Sequence, residues 1–312
     1  MGWWNRVLDA SVVASFDQSG FRRHARSFVA SDLEVDLSGR RVLITGASGG
    51  LGHATAVALA RLGAMVLVNS RTEARAQSAC ATIRKTVSEA EVEPAVFDVS
   101  SLAGVRTWVA RQPWDRLDVL IHNAGILPGT RSQTSEGFEQ TVATNLIGPM
   151  ALTAALRPHL SRSPDPRIIW VSSGGMLTQK LDLEATFDPP EPFDGVVAYA
   201  RTKRAEVVVA ERMQRELGPQ CAVYSMHPGW AATPGVATSL PRFSKLMQRR
   251  LRTWSEGADT MVWLAAQASP PEPRGGFWFD RQLASTHPVP GTRAPDAERD
   301  RLWTRLASTV GW

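Results

Sequence analysis

The sequence predicts an α/β fold in which a doubly wound parallel sheet of about seven strands carries helices on both faces. Three observations predict it. From Arg41 onward, short apolar runs alternate with amphipathic helical stretches. The runs are apolar throughout, as strands covered on both faces are. The glycine-rich and polar signatures fall just past the strand ends, where such sheets bind ligands.

The elements follow in order. Arg41–Thr45 (RVLIT) reads as a buried strand, and Leu51–Leu62, rich in alanine, as the helix behind it. Met65–Asn69 is a second strand, Glu73–Val87 a helix and Pro94–Phe97 a third strand. Leu102–Arg111 is a helix, Leu117–His122 a fourth strand, and Ser135–Leu160 is largely helical. Arg167–Val171 is a fifth strand, Val197–Leu217 a long helix and Cys221–Met226 a sixth strand. Gly257–Ala266 is a helix, Phe277–Phe279 a short last strand, and Asp296–Ala307 a closing helix. With right-handed crossovers, these βαβ units make a Rossmann-type sheet. The chain then divides into a helical extension (1–39), the Rossmann-type domain (40–290) and a tail (291–312).

Bulk properties narrow the function. The 312 residues, 43% hydrophobic, suffice for one sizeable core. No apolar run reaches the roughly 18 residues of a membrane span, and no secretory h-region opens the chain. Cys80 and Cys221 make neither a disulfide framework nor a zinc spacing, so no metal is expected and a reducing cytosolic compartment fits best. The net charge of +5 comes from scattered arginines, the pattern of a solvated surface and not of a nucleic-acid partner. In the extension, Trp3, Trp4, Val7, Leu8, Val12, Val13 and Phe16 share one helical face. Two readings stay open for it: peripheral contact with a membrane interface, or packing on its own fold or on a partner subunit.

The first strand ends in Thr45-Gly46-Ala47-Ser48-Gly49-Gly50-Leu51-Gly52. Glycine there permits positive φ, lets the backbone approach a pyrophosphate and lets the next helix pack close. The helix N-terminus then offers unpaired N–H groups to phosphate. The second strand ends Asn69-Ser70-Arg71. An acid at that point would accept hydrogen bonds from an NAD ribose hydroxyl; Ser70 carries no repelling charge and Arg71 can pair with a 2′-phosphate. NADP (NADPH) is therefore the expected cofactor, with Ser48 as a second partner for that phosphate.

In the second half, Tyr199 and Lys203 lie four apart on one helix face, after the strand-end pair Ser172-Ser173 and before Pro228-Gly229. A free phenol ionises near pH 10, too high for proton transfer near neutrality. A neighbouring ammonium favours the phenolate.

The spacing T-G-x-x-x-G-x-G, Asn123-Ala124-Gly125, Ser173, Y-x-x-x-K and Pro228-Gly229 together resemble the short-chain dehydrogenase/reductases over roughly residues 40 to 290. The resemblance implies a catalytic Ser173, Tyr199, Lys203 and Asn145. It implies cofactor contacts from Gly46, Gly50, Leu51, Gly52, Asp98, Val99, Asn123, Ala124, Gly125, Pro228, Gly229 and Thr233. In it, Lys203 holds the nicotinamide ribose, Asp98 the adenine, Thr233 the carboxamide, and Asn145 a water of the proton relay. His122 departs from the family's Asn-Asn-Ala-Gly and reads as structural, as does His227. The extension and the runs Ser172–Met176, Phe193–Gly195, Met226–Ala231 and Gly257–Met261 resemble the dehydrogenase/reductase SDR family member 12 group.

Ser173 and Tyr199 lie 26 positions apart, with Met176, Leu177, Leu181, Leu183, Phe187 and Phe193 between them. These residues, with Phe243, Leu246, Met247 and Leu251 of the stretch from Trp230 to Trp254, either line an apolar substrate pocket or pack beneath a loop. The first reading makes the substrate a lipophilic carbonyl or alcohol. The alternative function is an NADP-binding sensor or scaffold without turnover. A nucleotide-sugar epimerase would show T-G-x-x-G-x-x-G instead. A homo-oligomer through the helices Ser135–Leu160 and Val197–Leu217 is common in the family.

Overall fold

The computed structural model describes residues 12–232, 245, 247–288 and 291–312. Among the described residues, eight strands form one sheet in the order β3-β2-β1-β4-β5-β6-β7-β8. They are β1 (Arg41–Ile44), β2 (Met65–Ser70), β3 (Val92–Val96), β4 (Val119–His122), β5 (Arg167–Val171), β6 (Ala222–Met226), β7 (Phe277–Phe279) and β8 (Gln282–Leu283). The first seven run parallel, and β8 turns back antiparallel on β7. The eighth strand is an addition to the seven expected. It is two residues long and follows a turn in which Asp280 and Arg281 both take positive φ, a backbone that favours a tight hairpin but leaves little sequence signal when glycine is absent.

The strand residues explain the two layers. Leu43, Leu67, Leu120, Ile168 and Trp170 enter one core, while Val42, Ile44, Val68, Ile121, Ile169 and Val171 enter the other. The sheet edge at β3 departs from that pattern: Glu93 and Pro94 are exposed. Proline lacks the N–H of a central strand and suits an edge. That strand begins at Val92 and not, as expected, at Pro94.

In chain order the helices are α1 (Val12–Phe16), α2 (Gln18–His24), α3 (Gly50–Arg61), α4 (Glu73–Thr86), α5 (Leu102–Ala110), α6 (Gln140–Val142), α7 (Gly148–Leu160), α8 (Leu183–Phe187), α9 (Gly195–Leu217), α10 (Trp254–Ala266) and α11 (Asp296–Val310). A π turn, Ala143–Ile147, joins α6 to α7. The helix expected from Ser135 therefore begins five residues later. Gly137 takes φ +84°, Gln133 bridges Glu139, and the Glu139 carboxylate caps the helix by accepting from Val142 N–H at 2.9 Å.

The described part of the extension packs on the fold. Phe16 is buried, with its ring 4.5 Å from His227 and 5.2 Å from Phe279. Asp17 caps α2 by accepting from Gly20 N–H. Trp3, Trp4, Val7, Leu8 and the side chains of Val12 and Val13 lie outside the described residues. At the other end, Leu302, Leu306 and Val310 of α11 join the first core.

Candidate active site

The strand order reverses direction between β1 and β4, so their carboxyl ends open a crevice between diverging crossovers. The glycine turn after β1 sits there. Its backbone is fixed by neutral polar side chains. Thr45 Oγ1 accepts from Asn123 and Ala124 N–H, both at 3.0 Å. Asn69 Oδ1 accepts from Gly46 N–H at 3.1 Å, while its amide donates to the Ala95 and Phe97 carbonyls. Asn123 donates to the Thr45 and Gly46 carbonyls.

The glycines are required where the sequence argument placed them. Gly46 takes φ +65°, and a Cβ there would meet Ala124 Cα at 2.9 Å. A Cβ on Gly52 would lie 2.5 Å from Asn123 Nδ2. At Gly49, which precedes α3, a Cβ would meet nothing within 4 Å. The turn is thus closed toward the protein and open beyond the N-terminus of a 12-residue helix. That is the cradle a pyrophosphate fits. Ser70 is buried at the end of β2 and Arg71 exposed just past it. Ser48 and Leu51 are half-buried in the turn and the first helical turn. Asp98 holds its own loop, accepting from Ser100 N–H and hydroxyl at 2.8 Å, and Val99 is buried against Gly148.

Beyond β5 the two serines separate in role. Ser172 Oγ donates to the Lys203 carbonyl at 2.7 Å and is buried. Ser173 is half-buried; its oxygen accepts from Gly175 N–H at 3.2 Å, which leaves its O–H free to donate elsewhere. A Cβ on Gly175 would lie 3.6 Å from Ser173 Oγ and 3.9 Å from Ala200 Cβ, so the serine turn lies against the Tyr199 end of α9. Asp194 caps that helix through Val196 and Val197 N–H, which starts it at Gly195.

Lys203 Nζ lies 5.5 Å from the Tyr199 ring centroid and would be 3.2 Å from a Cβ on Gly125. It donates to the Val171 carbonyl at 2.9 Å and to Glu206 Oε1 at 2.8 Å. Burial pushes the ammonium down, but the facing Glu206 and Tyr199 outweigh burial and hold it above its ordinary value. Asn145, on the π turn, accepts from Ile126 N–H at 2.9 Å and donates to Thr202 Oγ1 at 3.0 Å. Ser173, Tyr199, Lys203, Asn145 and Gly125 are therefore gathered at one place beside the glycine turn.

His122 faces Thr153 with Nε2 at 2.8 Å and packs 4.5 Å from Trp170. Burial, then the Lys203 charge, pushes it down to about 3, so it is a neutral brace. His227 is stacked 4.0 Å from Phe279 and accepts from Gly229 N–H. Burial, then Arg252, pushes it to about 3 as well.

The Pro228-Gly229 loop has a second support that the sequence did not signal. Arg252 donates to the Pro228, Phe16 and Ser15 carbonyls and makes a two-point ion pair with Asp280 at 2.6 and 2.8 Å. His24 adds a 2.7 Å contact to the same carboxylate. Burial pushes Asp280 up, but His24 and Arg252 outweigh it and hold the carboxyl below its ordinary range. Gly229 takes φ +70°, and a Cβ on it would lie 2.4 Å from Arg252 Nε.

The apolar residues of the long Ser173–Tyr199 segment divide. Met176, Leu181 and Leu183 are buried core, and Phe187 packs against that core, so these four are packing and not pocket lining. Met247 and Leu251 are buried too. Thr233, Phe243 and Leu246 lie outside the described residues. Among the described residues, no cluster of His, Cys, Asp or Glu is arranged to hold a metal, and no helix is long and apolar enough to cross a membrane.

Known proteins resemble this chain over most of its length. The short chain dehydrogenase family profile matches residues 40–242. The chain is 39% identical over 296 residues to dehydrogenase/reductase SDR family member 12 of Bos taurus, covering 94% of this chain and 93% of that protein. It is 31% identical to retinol dehydrogenase 14 of Mus musculus over 78% of each chain. A crystal structure of an uncharacterized protein from Mycobacterium paratuberculosis superposes with a TM-score of 0.71 at 28% identity, covering 91% of this chain and 97% of that one.

Proposed function

The chain belongs to the short-chain dehydrogenase family, and on that premise we propose that it is an NADP-dependent reductase of lipophilic carbonyl compounds. The observation that carries the reading is Lys203, set against both the Tyr199 ring and Gly125, with the Ser173 turn lying against Ala200 of the same helix. A sensor or scaffold has no use for a proton donor at that place.

The residues that would hold the cofactor are those of the Gly46–Gly52 turn for the pyrophosphate, Ser48, Ser70 and Arg71 for a 2′-phosphate, Asp98 for the adenine, and Asn123–Gly125 with Pro228-Gly229 along the nicotinamide end. When bound, a nicotinamide dinucleotide supplies the hydride. The chain's own part is to hold the substrate oxygen and move a proton. Ser173 O–H donates to the carbonyl oxygen and stabilises the charge that develops there. The Tyr199 phenol delivers the proton as that oxygen becomes an alcohol. Lys203 holds its ammonium beside the phenol, and Asn145 fixes the facing loop. Preference for NADP rests on the uncharged Ser70 and the exposed Arg71, and favours reduction because cellular NADP pools are mainly reduced. Preference for lipophilic substrates rests on likeness to a retinol dehydrogenase.

A fluorescence titration with NADPH and NADH, run beside Arg71→Ala, tests the cofactor reading. NADPH should bind more tightly, and the mutant should lose about ten- to a hundredfold of that affinity, the worth of one charge-assisted hydrogen bond. Equal or tighter NADH binding overturns it. A screen of ketones and aldehydes follows, with Tyr199→Phe as control at a loss of about 10²–10⁴-fold. Turnover of charged, water-soluble substrates alone would overturn the lipophilic reading.

A further inference from the structure

Glu206 follows Lys203 by three residues and stands in the run Ala205-Glu206-Val207-Val208-Val209. A solvated carboxylate is out of place in such a run, and the structure buries it fully against the lysine. One oxygen accepts from Lys203 Nζ at 2.8 Å, while the other, Oε2, is buried with no hydrogen-bond partner. A carboxylate held at that cost is compensated by the charge it faces.

We propose that Glu206 is a positioning residue that neutralises the Lys203 ammonium and so keeps the Tyr199 phenol protonated, fitting the site to carbonyl reduction. The inference rests on the reading of Tyr199 as the proton donor and adds the direction in which that donor is set.

The argument is one of charge. An isolated ammonium beside a phenol favours its ionised form. An ammonium already paired with a carboxylate presents little net charge to it. Reduction needs the phenol with its proton, and oxidation needs it without. The other titratable groups acting on the pair, among the described residues, are Tyr199 on the same helix and His122 from β4. His122 is neutral. The strand β5 contributes the Val171 carbonyl and the π turn contributes Asn145, both uncharged. Burial pushes the Glu206 carboxyl up, and the Lys203 ammonium that it faces pulls it down.

The protein offers a clean readout. It has two tyrosines. The other, Tyr224, is buried, donates to the Pro271 carbonyl at 2.9 Å and is pushed well above its ordinary value by burial. Near-ultraviolet phenolate absorbance, followed against pH in the cofactor-free protein, is assigned by difference: the step that Tyr199→Phe abolishes belongs to Tyr199. Glu206→Gln keeps an oxygen acceptor for Lys203 and removes the charge. It should move the step to lower pH by about one unit and, in turnover, raise the oxidation-to-reduction ratio near neutrality by about tenfold. An unchanged step in a folded E206Q overturns the proposal. Should E206Q not fold, Glu206→Asn removes the same charge with a shorter side chain and is read the same way. A shifted step with no carbonyl turnover in the wild type would sustain the charge coupling and break the functional reading instead.

Discussion

The two ends of the site bury polar groups of different kinds. Around the glycine turn they are neutral: Thr45, Asn69 and Asn123 each bond backbone groups at the ends of neighbouring strands. Around the proton-transfer end they are charged: Lys203 with Glu206, and Arg252 with Asp280 and His24. A neutral network fixes geometry and its members are nearly independent of pH. A charged one stands only while every partner is present, since a lone buried charge costs several kcal/mol. The first end is a rigid mould. The second carries an electrostatic setting.

Asp280→Ala tests that difference most severely. It leaves the Arg252 guanidinium buried without its carboxylate and should destabilise the fold by about 3–5 kcal/mol, read by urea unfolding. A loss below about 1 kcal/mol would mean that the charged network is no more demanding than the neutral one. By contrast Asn69→Ala should cost about 1–3 kcal/mol, the same at every pH between 5 and 8.

Acid sensitivity sharpens the contrast further. His122 and His227 sit near 3 in the fold against 6.5 ordinarily. Between those values the unfolded chain binds more protons, so stability present above about 6.5 is lost as pH falls. The slope is about 1.4 kcal/mol per pH unit for each histidine. Glu206, raised in the fold to about 7 from 4.5, works in the opposite sense between those values. His122→Asn should therefore flatten the acid limb by one proton relative to the wild type between pH 5 and 6. An unchanged limb would place His122 in water and not in the core.

The neutral end was legible because its partners lie where local sequence already puts them. Glycines, Thr45 and Asn123 sit at strand ends whose order follows from the alternating pattern, and β5 and β7 match their expected limits at both ends. Ser173 and Tyr199 were legible for the same reason, and the structure separates Ser173 from Ser172 by giving Ser172 a backbone partner. The charged end was harder. Glu206 carried a signal, a carboxylate in an apolar run three residues after Lys203, but the burial of the pair only becomes evident once α9 is laid on β5. The pairing of His24 with Asp280 spans 256 positions, and no local pattern announces it. The apolar residues before Tyr199 look alike in sequence. Only packing shows Met176, Leu181 and Leu183 to be core.

That long-range pairing bears on how the chain reaches its native state. The carbonyls of Ser15 and Phe16 and the loop at Pro228 all meet on Arg252, which Asp280 holds in place. During synthesis the β1–β4 half can assemble once its strands have emerged, since its contacts are short in sequence. The segment around Phe16 has no such early partner. It must wait, with its buried surface uncovered, until Asp280 has left the ribosome. That segment, though it precedes β1, is thus among the last to settle.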